Sequence, residues 1–301
     1  MIRKFIGFIS ITLLLIFCKN NLKAQITADI FTNCKIELSV LSDKNKNRYA
    51  PTFFNRGILF AQDEIDGKTG TGTKLMFSRL SRSYGYKKPT TFLEDEELYK
   101  NVGPACSEEK STKVYFTANH PKKFVLMNND GVYKLAIYEM NVAKKKAKLM
   151  FFNEKEYNFM HPTVSNDDRF MVFSTDKDSG AGDSNLYFSL KYGKTWTTPE
   201  PFGEEVINSS GKDVFPGIID ENTVIFASDR PDGYGKLDLY ITTRIKKDEW
   251  TPPVNLGPSI NSEADDFGLI LDLETGKGMF TSKRQGGVDR LYDFKVTLPK
   301  E

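Results

Sequence analysis

Three cysteines, two histidines and two tryptophans are all that 301 residues carry of those types, and this scarcity excludes several kinds of chemistry. His120 and His161 have no second His, Cys or helical Glu at ligand spacing, so no metal site is expected. The chain also lacks a Gly-x-Ser-x-Gly elbow, a His-Glu-x-x-His pair and a phosphate loop, so no cofactor is expected and the chain reads as non-enzymatic. One-sided charge is missing too: 42 Lys+Arg stand against 40 Asp+Glu, which argues against nucleic acid as a partner. No apolar run beyond the N-terminus approaches the roughly 20 residues of a membrane-spanning helix, and 3.6-residue periodicity is nearly absent.

The N-terminus reads as a secretory signal peptide over residues 1–24. Arg3 and Lys4 precede an apolar run from Phe5 to Phe17, and Leu22-Lys23-Ala24 fits a cleavage site. Gln25 is then the mature start. Cys18 follows the bulky Phe17, where a lipoprotein signal needs a small residue, so lipidation is not expected. After cleavage 38 basic and 40 acidic residues remain, with Cys34 and Cys106 as the two thiols, both expected to stay free.

Beyond residue 30 the chain alternates short apolar, β-rich runs with clusters of Gly, Asp, Asn and Pro, an all-β pattern. The runs belong to a repeat. Trp196-Thr-Thr-Pro-Glu-Pro-Phe-Gly203 returns as Trp250-Thr-Pro-Pro-Val-Asn-Leu-Gly257, and Ile207-Asn-Ser209 returns as Ile260-Asn-Ser262. Asp213-Val-Phe-Pro-Gly217 is matched to Asp265-Asp-Phe-Gly-Leu269. Weaker copies place anchors at Pro51, Pro104, Pro162, Pro216 and Gly268, spaced by 53, 58, 54 and 52 residues. A unit of that length holds four short strands and no crossover helix, as in a propeller blade.

The best copies, Phe215-Pro216, Phe226-Ala-Ser-Asp-Arg230 and Leu237-Asp-Leu-Tyr240, resemble the WD40-like, TolB-type β-propeller repeats of bacterial envelope proteins. That resemblance implies a single β-propeller domain over residues 25–301 and a place in the periplasm, at the outer-membrane periphery or outside the cell. The fifth unit supplies three strands before the chain stops, and Ile36-Glu-Leu-Ser-Val-Leu41 has the position of its missing fourth. Five blades closed by the N-terminal strand are therefore expected, the alternative being six with a blade hidden in residues 119–158. Residues 25–32 precede the closing strand and are expected to be expendable.

In a propeller the loop entering each blade and the loop between its second and third strands share one face. Asp213, Asp265 and Asp266 belong to the first set; Arg230, Tyr234, Lys283 and Arg284 belong to the second. This mixed charged and aromatic rim is the expected partner-binding surface. The expected function is a protein-binding or scaffold module in the envelope whose partner is a protein or a glycan. The alternative is a carbohydrate-active or glycan-binding propeller. Ser189-Leu-Lys-Tyr-Gly-Lys-Thr-Trp196 has the spacing of a sialidase Asp-box with Lys191 in place of the aspartate. The acidic loops 176–183 and 229–233 could offer oxygen ligands to Ca²⁺, though Asp and Gly also build ordinary turns.

Overall fold

The computed structural model describes residues 28–66, 70–81, 83, 85–93, 101–119, 131–178, 183–247 and 249–298. The expected signal peptide with Cys18, the expected start at Gln25, His120 and the centre of the 176–183 loop lie outside them. Five antiparallel sheets form a five-bladed β-propeller.

After β1 (Lys35–Leu38), the first blade comprises β2 (Arg48–Phe54), β3 (Gly57–Asp66), β4 (Gly70–Ser81), β5 (Gly85–Tyr86) and β6 (Thr90–Thr91). The second holds β7 (Ala105–Ser107), β8 (Lys113–Ala118), β9 (Ala136–Asn141) and β10 (Lys146–Leu149). The third holds β11 (Phe159–Val164), β12 (Phe170–Thr175), β13 (Asn185–Tyr192), β14 (Thr195–Trp196) and β15 (Glu200–Pro201). In the fourth are β16 (Asp213–Asp220), β17 (Thr223–Ser228), β18 (Asp238–Lys246), β19 (Glu249–Trp250) and β20 (Val254–Asn255). The fifth has β21 (Asp266–Asp272), β22 (Lys277–Ser282) and β23 (Arg290–Lys295), and its outer strand is β1, in register from Lys35 opposite Lys295 to Leu38 opposite Tyr292.

The second strand of each blade is an apolar run because both its faces are covered by neighbouring blades. Phe116, Phe173, Phe226 and Phe280 sit at equivalent places in β8, β12, β17 and β22, all fully buried. The described core accordingly divides into five apolar layers, one between each pair of adjacent blades. Ala28 and Phe31 join the layer between the fourth and fifth blades, and Phe31 is fully buried with its ring 5.9 Å from Phe294. Of the stretch 25–32 expected to be expendable, residues 28–32 are described and carry part of the core through Ala28 and Phe31.

Four inner strands carry a β-bulge at the anchor, with a residue in left-handed backbone: Ala50 (φ 49°), His161 (53°), Phe215 (50°) and Gly268 (61°). A bulge interrupts the ladder, so the proline that follows at 51, 162 and 216 gives up no needed N–H. In the fifth blade Leu269 has the place of the proline and Gly268 that of Phe215. The match between Asp213 and Asp265 is thus off by one: Asp213 opposes Ser228 as Asp266 opposes Ser282. Threonine hydroxyls bridge neighbouring blades, Thr281 accepting from Ala50 N and Thr117 from His161 N, each at 2.9 Å.

Candidate functional site

The repeated motifs explain themselves as fasteners. Asn208 and Asn261 each zip a side-chain amide onto the third strand of their blade, through Leu186 and Leu239, at 2.7–3.1 Å. Ser209 and Ser262 donate to Asp213 and Asp266, whose side chains are wholly buried. Arg230 then donates to Asp213 at 2.8 Å and to Ile207 O, while stacking over Phe226 and Tyr240. Arg284 repeats the arrangement on Asp266 at 2.7 Å, over Phe280 and Tyr292. Four of the seven expected rim residues, Asp213, Arg230, Asp266 and Arg284, are thus spent in pairs inside their own blades. Tyr234 is half exposed, and Asp265 and Lys283 are part-exposed neighbours joined by Lys283 N donating to Asp265 O at 3.0 Å. Cys34 and Cys106 belong to different blades.

On the face where the inner strands begin, a row of rings passes through four successive blades. His161 stacks on Phe215 at 3.7 Å, Phe215 lies 4.4 Å from Phe267, and Phe267 lies 6.2 Å from Tyr49. A cavity of about 40 Å³ lies between the bulges. His161 Nδ1 has no hydrogen-bond partner, and burial pushes its pKa down to about 3.

The Tyr49 end of the row meets a group of carboxylates. Tyr49 donates to Asp63 at 3.2 Å, Thr73 donates to the same oxygen at 3.1 Å, and Asn47 Nδ2 donates to the other at 2.7 Å. Asn47 Oδ1 accepts from Asp289 N at 2.9 Å, tying the first blade to the fifth. Burial raises the Asp289 carboxyl above the ordinary range, Asp265 and Asp63 push the same way, and Lys283 opposes them. Asp63, Asp265, Asp289 and Lys283 thus share one electrostatic neighbourhood beside an aromatic floor. A carboxyl whose pKa is raised can donate a proton, and a carboxylate beside it can stabilise developing positive charge.

Asp63 and Asp289 were not singled out in the sequence. The available signal was a departure from the repeat, since Asp289 takes the position that Leu237 holds in the fourth blade. Among the described residues no group of three or more His, Cys, Asp or Glu could hold a metal ion. Of the carboxylates in the suspected Ca²⁺ loops, Asp176 accepts from Asn158 N and Nδ2, and Asp229 accepts from Lys212 N.

No protein-family model matches the chain, and no curated protein matches it in sequence. Solved structures share its ring. A thermostable family-43 glycoside hydrolase aligns at TM-score 0.54 with 11% identity, over 88% of this chain and 94% of that one. An endo-arabinase from Bacteroides thetaiotaomicron aligns at 0.51 with 12% identity, over 85% of this chain and 95% of that one. TolB from Acinetobacter baumannii aligns at 0.46 with 12% identity; the match covers 85% of this chain and 56% of the TolB chain. The two glycosidase likenesses establish the fold. They also correct the reading of the chain as non-enzymatic, because rings of this build include glycoside hydrolases. That reading leaned on the shortage of histidines and of familiar motifs, whereas glycoside hydrolysis needs only two placed carboxyl groups.

Proposed function

We propose that the chain is an exported glycan-handling propeller, its signal at residues 1–24 and its one domain at 25–301, which takes a sugar chain at the axial mouth and cleaves it. The observation that carries this reading is the half-buried Asp289 carboxyl, raised by burial and by Asp265 and Asp63 beside it. Asp289 would protonate the leaving oxygen, and Asp63, held as an acceptor by Tyr49, Thr73 and Asn47, would be the second carboxyl group. Among the described residues no helix is long and apolar enough to cross a membrane.

A second reading, docking of an envelope protein on the rim, is favoured by Tyr234, which stands half exposed near Asp265 and Lys283. One experiment separates the two. The purified exported chain is assayed for reducing ends released from a panel of neutral and acidic polysaccharides, alongside Asp289→Asn. Release that falls by about 100-fold or more in the variant is expected, the scale of losing a general acid. Unchanged release in Asp289→Asn would remove that carboxyl from the mechanism. No release and no retention on any polysaccharide, with an envelope protein crosslinked through position 234, would replace hydrolysis by docking.

A further inference from the structure

On the face opposite the mouth, the second and third blades part around a cleft of about 780 Å³. Lys113, at the start of β8, and Lys191, near the end of β13, bring their ammonium groups to the same atom, Oδ2 of Asp168. Lys191 Nζ lies 2.5 Å from it, and the Tyr115 hydroxyl donates to Oδ1 at 2.7 Å. Asp168 holds this position in left-handed backbone, φ 60°, at the turn between β11 and β12. Lys191 is the residue that breaks the Asp-box pattern, and its ammonium lies 4.9 Å over the Trp196 ring with only 7% of the side chain exposed.

Two ammonium groups on one carboxylate oxygen leave positive charge without a counterion in a place where water screens it poorly. Burial, and Lys113 beside it, lower the Lys191 pKa against the pull of Asp168. Glu139 acts on Lys113 and accepts from the Tyr115 hydroxyl at 3.2 Å, but it is shared with Lys148, also at 3.2 Å. Asp167 pairs with Arg169 at 3.8 Å, and Lys194 adds a further cation at the opening. Five cations therefore line the cleft against three carboxylates. Tyr192, 68% exposed, offers a flat apolar face at the same opening.

We propose that this cleft binds an acidic oligosaccharide, with a ligand carboxylate seated against the Lys113 and Lys191 ammonium groups and a sugar ring lying on Tyr192. Asp168 alone does not balance the two ammonium groups, and the cleft has room for a ligand of more than one sugar ring. The site shares no residue with the axial mouth, so it stands whether or not the chain cleaves glycans.

Calorimetric titration of trigalacturonate into the exported chain tests it, with maltotriose as the uncharged ligand of equal length. Saturable binding of trigalacturonate alone is expected, weakened at least tenfold by Lys191→Met and by Lys194→Glu, retained in Asp289→Asn, and falling as salt is added. Lys194 is exposed, so if Lys191→Met melts early the Lys194→Glu variant decides by itself. Absence of binding, equal binding of maltotriose, or wild-type affinity in Lys194→Glu would overturn the proposal.

Discussion

At His161 backbone and side chain answer to different neighbours. The bulge demands positive φ, which a β-carbon disfavours, and the amide is held by Thr117 of the preceding blade. The imidazole lies against Phe215 with Nδ1 unpaired, which keeps it neutral down to about pH 3. In the unfolded chain the same group takes a proton near about pH 6.5. Its folded pKa is depressed, so its share of stability is intact above about pH 6.5 and is lost as pH falls toward 3. The slope over that window is about 1.4 kcal/mol per pH unit. His161→Asn, which keeps a residue tolerant of left-handed backbone, should flatten this part of the curve in urea melts at successive pH values. A variant whose stability still falls as steeply as the wild type would show that other groups set the acid limit.

Within an element the strongest device is the Asp–Ser–Arg fastener of the fourth and fifth blades. It joins the loop entering a blade to the loop between its second and third strands, and it covers the end of the Phe–Tyr stack. Asp213→Ala leaves the Arg230 guanidinium, 13% exposed, without its carboxylate; breaking a buried pair in this way costs about 3 to 5 kcal/mol. Asp266→Ala should cost the same, since Arg284 makes the same contacts. The paired change Asp213→Leu with Arg230→Met should recover most of the loss, because apolar partners leave no uncompensated charge. Thermal melts of the single and paired variants check this, and a paired variant as unstable as Asp213→Ala would refute it. The serine, aspartate and arginine were visible in the repeat, but their exposure was not, because burial of Asp213 depends on residues 209 and 230 folding over it.

For the whole molecule, stability rests on joining two distant stretches of chain. β1 completes the fifth blade, while Leu41 enters the layer between the fifth and first blades and Phe31 the layer between the fourth and fifth. Each large buried side chain is worth about 1.5 to 3 kcal/mol, and a domain has only about 5 to 15 kcal/mol in all. Removing residues 1–41 should therefore abolish the cooperative melt. Removing residues 1–32 should lower the midpoint measurably through Phe31, a Phe truncation costing about 3 to 5 kcal/mol. Circular dichroism during heating reads both, and an unchanged midpoint in the longer deletion would mean that the ring does not depend on its closing strand.

The sequence by itself determined the five units, the all-β ring and the closing role of the strand at Ile36, although the paired stretch is Lys35–Leu38 and not Ile36 to Leu41. These follow from local facts: apolar runs of strand length, turn residues between them, a repeat of 52 to 58 residues and a last unit one strand short. Tertiary structure decided which polar groups are spent and which are available. Asp63, Asp265 and Asp289 come from opposite ends of the chain and meet only because the first and fifth blades are adjacent in the closed ring. Lys113 and Lys191 likewise share Asp168 only across a blade boundary. Local pattern records which strand a residue belongs to, whereas burial, charge pairing and clefts arise between strands that the pattern treats as equivalent.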